Sequence, residues 1–179
     1  MGKIIYKRAT SNEELHQILA LQSINLPSLI SEEIKLSEGF VTVQHTFELL
    51  KTMNDACAHT IAKSDGKVIG YALSMVKDFK NDIDVLKPMF QHIEDHLPKV
   101  NYIVMGQVCV DSAHRGKGIF RGLYNAMKEN LKDEYDTIVT EVDKKNTRSL
   151  NAHYASGFKE LFTYHSNHQD WVLIYLDLD

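Results

Sequence analysis

Hydrophobic positions along the chain follow two rhythms, one of period two and one near 3.6, and the switches between them predict the elements. Residues 3–9 form a short β-prone run with Ile4, Ile5 and Tyr6. Ser11 and Glu14 then have the spacing of a capping box, a hydroxyl at the N-cap and a carboxylate three residues on. Leu15, Ile18, Leu19 and Gln22 follow at helical spacing, and Asn25-Leu26-Pro27-Ser28 ends that helix. A second, irregular helical stretch reaches about Asn54, with Phe47, Leu50 and Met53 on one side. Residues 57–63 and 68–76 are apolar runs around Ser64-Asp65-Gly66-Lys67, and Asp-Gly in that position predicts a β-hairpin.

Residues 77–99 are more polar. Val85, Leu86, Met89, Phe90, Ile93 and Leu97 predict a helix inside an insertion, stopped at Pro98. Residues 100–110 form a long apolar strand with Gly106 inside it, where glycine marks a bulge or a close backbone approach. Asp111 to Gly118 is a polar loop, after which Ile119, Leu123 and Met127 trace a helix. Residues 137–142 predict a strand, and 146–156 a helix that Gly157 stops. Residues 158–164 and 171–178 close the chain as a second hairpin around a polar turn. The order β-α-α-β-β-insertion-β-α-β-α-β-β predicts an α+β (mixed α/β) fold. The first hairpin is antiparallel, and the strand-helix-strand unit from Val100 to Val142 is parallel and right-handed.

Composition narrows the class. A length of 179 residues suits one domain, spanning 1–179, with no internal repeat. Apolar residues at 44% and charged residues at 25% fit a globule and argue against disorder. A net charge of -4 gives no basic excess for a nucleic-acid surface. Cys57 and Cys109 are two isolated thiols, neither a disulfide framework nor a zinc cluster. No apolar run reaches the roughly 18 residues of a membrane span. Residues 1–10 lack the apolar core of a signal peptide, and Tyr6 stands where a myristoylation signal has Ser or Thr. The expectation is a soluble, reduced, cytoplasmic protein with no membrane or nucleic-acid partner; a homodimer is compatible with it.

The loop His114-Arg115-Gly116-Lys117-Gly118 joins a strand to a helix. Glycines permit a tight turn with amides pointing one way, and a helix N-terminus adds partial positive charge. Arg115 and Lys117 add full charges, so the loop suits phosphate. A plain turn with solvated basic side chains is the bland alternative. Gly116, Gly118 and Gly122 also match a dinucleotide loop, with Glu141 near the end of the next strand where a ribose-binding acid would sit. Too few strand-helix units follow for a doubly wound sheet.

Three features together resemble the GCN5-related N-acetyltransferase (GNAT) family. Arg115-Gly116-Lys117-Gly118-Ile119 looks like that family's pyrophosphate loop; Gly106 resembles its bulged fourth strand; Asn146, Ser149 and Gly157-Phe158 resemble its Asn-x-x-Ala/Ser helix ending in Gly-Phe. The resemblance covers residues 3–177. It departs at Phe120, where the loop pattern has Gly or Ala, and at His153, where the family often has a tyrosine general acid.

The resemblance implies a central mixed, mostly antiparallel sheet of six to seven strands flanked by helices. It implies acetyl-coenzyme A (acetyl-CoA) as donor and a primary amine, on a small molecule or a peptide, as acceptor by direct attack on the thioester. The alternative is a non-catalytic acyl-CoA-binding module. Backbone amides of Gln107, Val108, Cys109 and Val110 would serve the thioester carbonyl and pantetheine, and those of Gly116, Lys117, Gly118 and Ile119 the pyrophosphate. Arg115, Phe120, Asn146 and Ser149 complete the expected donor-binding set. His153 and Tyr154 are the candidate proton donors, and the register from Asn146 favours His153. Glu141 is the candidate base, with Gln107 able to position the amine or a water. Cys109 as an acetyl carrier and His92 with His96 as metal ligands are weaker readings; no metal is expected. Residues 77–99 and 25–45 are expected to flank the acceptor cleft.

Overall fold

The structure, a computed structural model, describes residues 2–26 and 44–179. One seven-stranded sheet runs through it in the order β1-β2-β3-β4-β5-β7-β6. The strands are β1 (Ile5–Arg8), β2 (Thr60–Ser64), β3 (Lys67–Met75), β4 (Tyr102–Val110), β5 (Thr137–Asp143), β6 (Lys159–Ser166) and β7 (Gln169–Asp177). The helices are α1 (Asn12–Ser23), α2 (Phe47–Ala56), α3 (Lys87–His96), α4 (Ile119–Leu131) and α5 (Thr147–Tyr154). All pairings are antiparallel except β4 with β5. The expected mixed, mostly antiparallel sheet is present, with seven strands.

The parallel pair is short. It covers Tyr102, Ile103 and Val104 against Thr137, Ile138 and Val139, and beyond Val104 the two strands part. On the other edge of β4, Leu73 pairs with Gln107 while Ser74 pairs with Met105. Gly106 is therefore the extra residue of a bulge, as its place inside an apolar strand suggested. The bulge and the parting strands occur together, so the middle of the sheet opens into a gap.

Helices cover both faces. α1, α2 and α3 bury Leu15, Ile18, Leu50, Met53, Met89 and Ile93 against β3 and β4 on one face. α4 buries Ile119, Leu123, Tyr124, Met127 and Leu131 on the other. Their spacing is one helical stripe, and burial of each such side chain supplies about 2 kcal/mol. β3 is buried from Val68 to Met75, which is why its sequence carries no polar alternation. Both hairpins turn in two residues held at positive φ, Asp65-Gly66 and Asn167-His168.

The capping box is only half formed. Ser11 Oγ accepts from the Glu14 amide at 3.3 Å, but the Glu14 carboxylate does not return to Ser11. It accepts instead from the Thr10 amide at 2.8 Å and from Lys7 and Lys63 Nζ at 2.7 and 2.9 Å. Burial pushes its pKa up; the lysine and backbone donors outweigh burial and hold it at about 2. Glu14 thus fastens β2 to the start of α1.

The insertion holds two short 3-10 turns, Lys77–Asn81 and Asp84–Leu86, before α3, so Val85 and Leu86 precede the helix rather than sit within it. Asn146 caps α5 instead of opening it. Pro27 and Ser28, expected to break the chain after α1, lie outside the described residues, as does the rest of 27–43. Among the described residues, no helix is long and apolar enough to cross a membrane, and no cluster of three or more His, Cys, Asp or Glu is set to hold a metal.

Candidate active site

A groove of about 810 Å³ lies between the end of β4 and head of α4 on one side and α5 on the other. Val108, Cys109 and Val110 enter it from β4; Arg115, Gly116, Gly118, Ile119 and Phe120 from the loop and helix; Asn146, Arg148 and Ser149 from α5. Nearly the whole expected donor-binding set is therefore brought together.

Gly116 and Gly118 both adopt left-handed backbone, with φ of +72° and +76°, and no atom lies within 4 Å of where a Cβ would stand. Conformation, rather than crowding, explains these glycines. The amides of Gly116, Lys117, Gly118, Ile119 and Phe120 find no backbone acceptor among the described residues. They sit at the N-terminus of α4, which runs 13 residues, so the head of this helix is a cradle for an anion. Gly122 has a different reason: a Cβ there would lie 2.2 Å from the Tyr6 ring. That packing accounts for the third glycine of the dinucleotide-like pattern.

The basic side chains are partly committed. Arg115 donates to the Val110 carbonyl at 3.0 Å and to Asn25 Oδ1 at 2.7 Å, pinning the residues after α1 to the loop. Lys117 turns back to the Ala113 carbonyl at 2.7 Å. Arg121 reaches the Ala155 carbonyl across the groove at 3.4 Å.

On α5, Asn146 Oδ1 accepts from the Ser149 amide at 3.2 Å, closing the helix start. Gly157 ends the segment at φ +98°, and Phe158 is buried behind it. The Asn…Gly-Phe spacing is thus the two ends of one short helix. His153 is 1% exposed. Its Nδ1 lies 2.7 Å from the Ser149 carbonyl and its Nε2 2.7 Å from Tyr124 Oη. A carbonyl only accepts, so Nδ1 carries the proton and Nε2 accepts from the tyrosine. Burial lowers the His153 pKa to about 4. Phe120, Tyr124 and Phe158 meet its ring edge-on at 5.0, 5.4 and 5.1 Å. The two departures from the family pattern, Phe120 and His153, are therefore in contact with each other. Tyr154 lies on the outer side, 39% exposed, with its hydroxyl donating to Glu160 at 3.3 Å.

Adjoining the groove and sharing Val108, Asn146 and Ser149 with it, a cavity of about 70 Å³ opens where β4 and β5 part. Gln107 and Glu141 border it from the two strands, and His153 and Ser149 border it from below. The Glu141 carboxylate accepts a hydrogen bond from the Tyr164 hydroxyl of β6. Burial raises the Glu141 pKa to about 7, against the Tyr164 hydrogen bond, which lowers it. Burial and the neighbouring carboxylate push the Tyr164 phenol well up.

Gln107 is held by a buried network. Its Oε1 accepts from Gln22 Nε2 at 2.7 Å and from Tyr71 Oη at 2.6 Å. Gln22 Nε2 also donates to His45 Nδ1 at 2.8 Å, while Gln22 Oε1 accepts from the His45 amide at 2.8 Å. Burial lowers the His45 pKa to about 4. Cys109 is 7% exposed and burial pushes its thiol to about 11, so its thiolate is scarce at neutral pH. His92 packs at a tilt against Phe162 and Tyr164, and His96 against Phe162.

Sequence reasoning did not single out Tyr164, and it placed Gln22 only as a helix position. Tyr164 sits in a strand of ordinary alternation, and Gln22 continues an apolar stripe. A polar residue on a predicted apolar stripe was the one available signal.

The fold is shared with known structures at low identity. A chain of the NatC complex, solved with Gag peptide and CoA, matches with a TM-score of 0.66 at 18% identity over 99% of each chain. An N-acetyltransferase from Staphylococcus aureus Mu50 matches with a TM-score of 0.66 at 20% identity, again over 99% of each. yncA from Salmonella typhimurium, solved with its cofactor acetyl-CoA, gives 0.64 at 15% identity, covering 99% of this chain and 95% of its own. No curated protein matches the sequence. The model of the Acetyltransferase (GNAT) family matches residues 23–158, a span that runs from the end of α1 to the end of the α5 segment, and the chain belongs to that family.

Proposed function

We propose that the protein is an acetyl-CoA-dependent N-acetyltransferase acting on a primary amine. The observation that carries this is a single juxtaposition. The anion cradle at the head of α4 and the half-buried Glu141 lie at opposite ends of the same gap beside β4. The cradle residues fit a pyrophosphate: two left-handed glycines with open space above them and a run of amides without backbone acceptors. The neighbours solved with CoA or acetyl-CoA support the same donor.

Acetyl-CoA supplies an acetyl group activated as a thioester. The amine nitrogen attacks the carbonyl carbon, the C–S bond breaks, and the thiolate leaves with the bonding pair. β4 past Val104 has its β5-facing edge open to the carbonyl and pantetheine. Glu141, with a pKa near 7, is half ionised at neutral pH and takes the proton that the amine must lose. Gln107, fixed through Tyr71 and Gln22, orients the incoming group. His153 and Tyr154 do not serve as proton donors in this reading: one has both nitrogens engaged and the other faces outward. The thiolate takes its proton from water. The Gag peptide in the NatC complex supports a peptide amino group as one acceptor to test.

Release of free thiol from acetyl-CoA, followed with a panel of polyamines, amino acids and short peptides, tests the proposal. Turnover with at least one amine is expected. Glu141→Gln should lower kcat by about a hundredfold while acetyl-CoA affinity is kept. Tight acetyl-CoA binding with no turnover on any amine would instead make the protein an acyl-CoA-binding module.

A further inference from the structure

Glu141 has two carboxylate oxygens in unequal surroundings. Oε2 accepts from Tyr164, and Oε1 has no hydrogen bond among the described residues. The Tyr164 ring is itself held. Its phenol lies on β6, at the end of the sheet, and the His92 ring of α3 lies against it with centroids 4.4 Å apart. His92 also touches Phe162 at 5.0 Å, and His96, one turn on, covers Phe162 at 4.3 Å. Side-chain rings alternate here between helix and strand, so α3 bears directly on the residue that holds the carboxylate.

We propose that Tyr164 is the positioning residue of Glu141, and that His92 is the wedge that keeps the phenol hydroxyl on Oε2 and leaves Oε1 to the acceptor amine. This rests on the reading of Glu141 as the base, and it gives the insertion before β4 a role in catalysis beyond walling the cleft. A phenol that donates to a carboxylate favours its ionised form, and burial opposes that. The balance sets the pH at which Glu141 becomes a base. Other titratable groups packed around it are few. β4 presents the uncharged Gln107, β7 pairs Leu173 with Glu141, β5 itself carries Asp143, and α5 presents His153. Asp143 is committed to the Lys145 amide and to Gln169, and His153 to Ser149 and Tyr124.

The test is a titration of the whole protein labelled with carboxyl-¹³C glutamate, followed by NMR. The Glu141 resonance is identified by its loss in Glu141→Gln. Its midpoint is expected near 7. Tyr164→Phe keeps the ring and removes the donor, and should raise the midpoint by about one unit. His92→Ala should move it the same way by less, and His92→Phe, which keeps a ring on the phenol, should restore it. An unmoved midpoint in Tyr164→Phe overturns the positioning role. A shift in Tyr164→Phe without one in His92→Ala overturns the wedge. Neither result depends on turnover: full activity in Glu141→Gln would remove the base reading while leaving the titration to decide how the carboxylate is held.

Discussion

On the α4 side of the gap the groove is made of main chain, whereas on the α3 side it is made of side chains. The first is a run of amides on one continuous loop, Gly116 to Phe120, held open by two left-handed glycines. The second draws Gln22 from α1, His45 from the residues before α2, Tyr71 from β3, Gln107 from β4, Glu141 from β5 and Tyr164 from β6. A main-chain site keeps its chemistry whatever side chains surround it, so it suits the part of a reaction that does not vary. A side-chain site can be retuned one residue at a time, so it suits the part that does. Two structures that share this fold were solved with CoA or acetyl-CoA.

Acid titration should strain that contrast most. His45, His59 and His153 are all buried, with pKa values lowered to about 4 by burial. Below pH 6.5 the unfolded chain binds protons that the folded chain refuses until about pH 4, so stability is full above 6.5 and is lost as pH falls. Glu141, raised to about 7 by burial, works in the opposite direction and cancels about one of the three. The net slope is about 2–3 kcal/mol per pH unit between 6 and 4.5. Denaturant melts across that range check it, and a flat profile would mean the histidines are hydrated in solution. Amide exchange resolved by residue should show the His45 network and the His153 cage loosening in the same window.

A smaller effect isolates the donor side. Gly118→Asp forces a non-glycine residue to φ near +76° and aims a carboxylate at the phosphates. Acetyl-CoA affinity should fall about a hundredfold, or about 2.7 kcal/mol, by calorimetry. Unchanged affinity in a folded variant would put the donor elsewhere. The smallest effect separates structure from chemistry on α5. His153→Phe keeps the ring but leaves Tyr124 Oη buried without its partner. Stability should fall by about 2 kcal/mol, near 6 °C in Tm, with acetyl-CoA affinity nearly unchanged. A hundredfold loss of kcat at unchanged Tm would return His153 to the reaction.

The same contrast explains what the sequence disclosed. Strands, helices and hairpins follow from periodicity and from Asp65-Gly66 and Gly157, because those signals act within a few residues. The Arg115–Phe120 loop was legible for the same reason. His153 shows where local reasoning stops. Its register on α5 is as expected, but the bulk of Phe120, distant in sequence, turns its surroundings into an aromatic cage. Glu14 shows it again: the serine cap formed, yet lysines from β1 and β2 took the carboxylate. Nothing near Tyr164 in the chain announces that it ends beside Glu141, because β6 reaches β5 only through β7.

The three residue pairs that join β4 to β5 have a further meaning. They are a seam between two plates, β1 to β4 and β5 to β7 with β6, and the gap is what remains where the seam stops. An opening of this kind is inherited from topology rather than composed residue by residue. It survives as long as the plates diverge, whatever fills them. That is a physical reason for chains sharing only 15 to 20% identity to keep the architecture over nearly their whole length. It leaves the rim beyond the seam, where Glu141 and Tyr164 stand, as the ground on which one such protein becomes different from another.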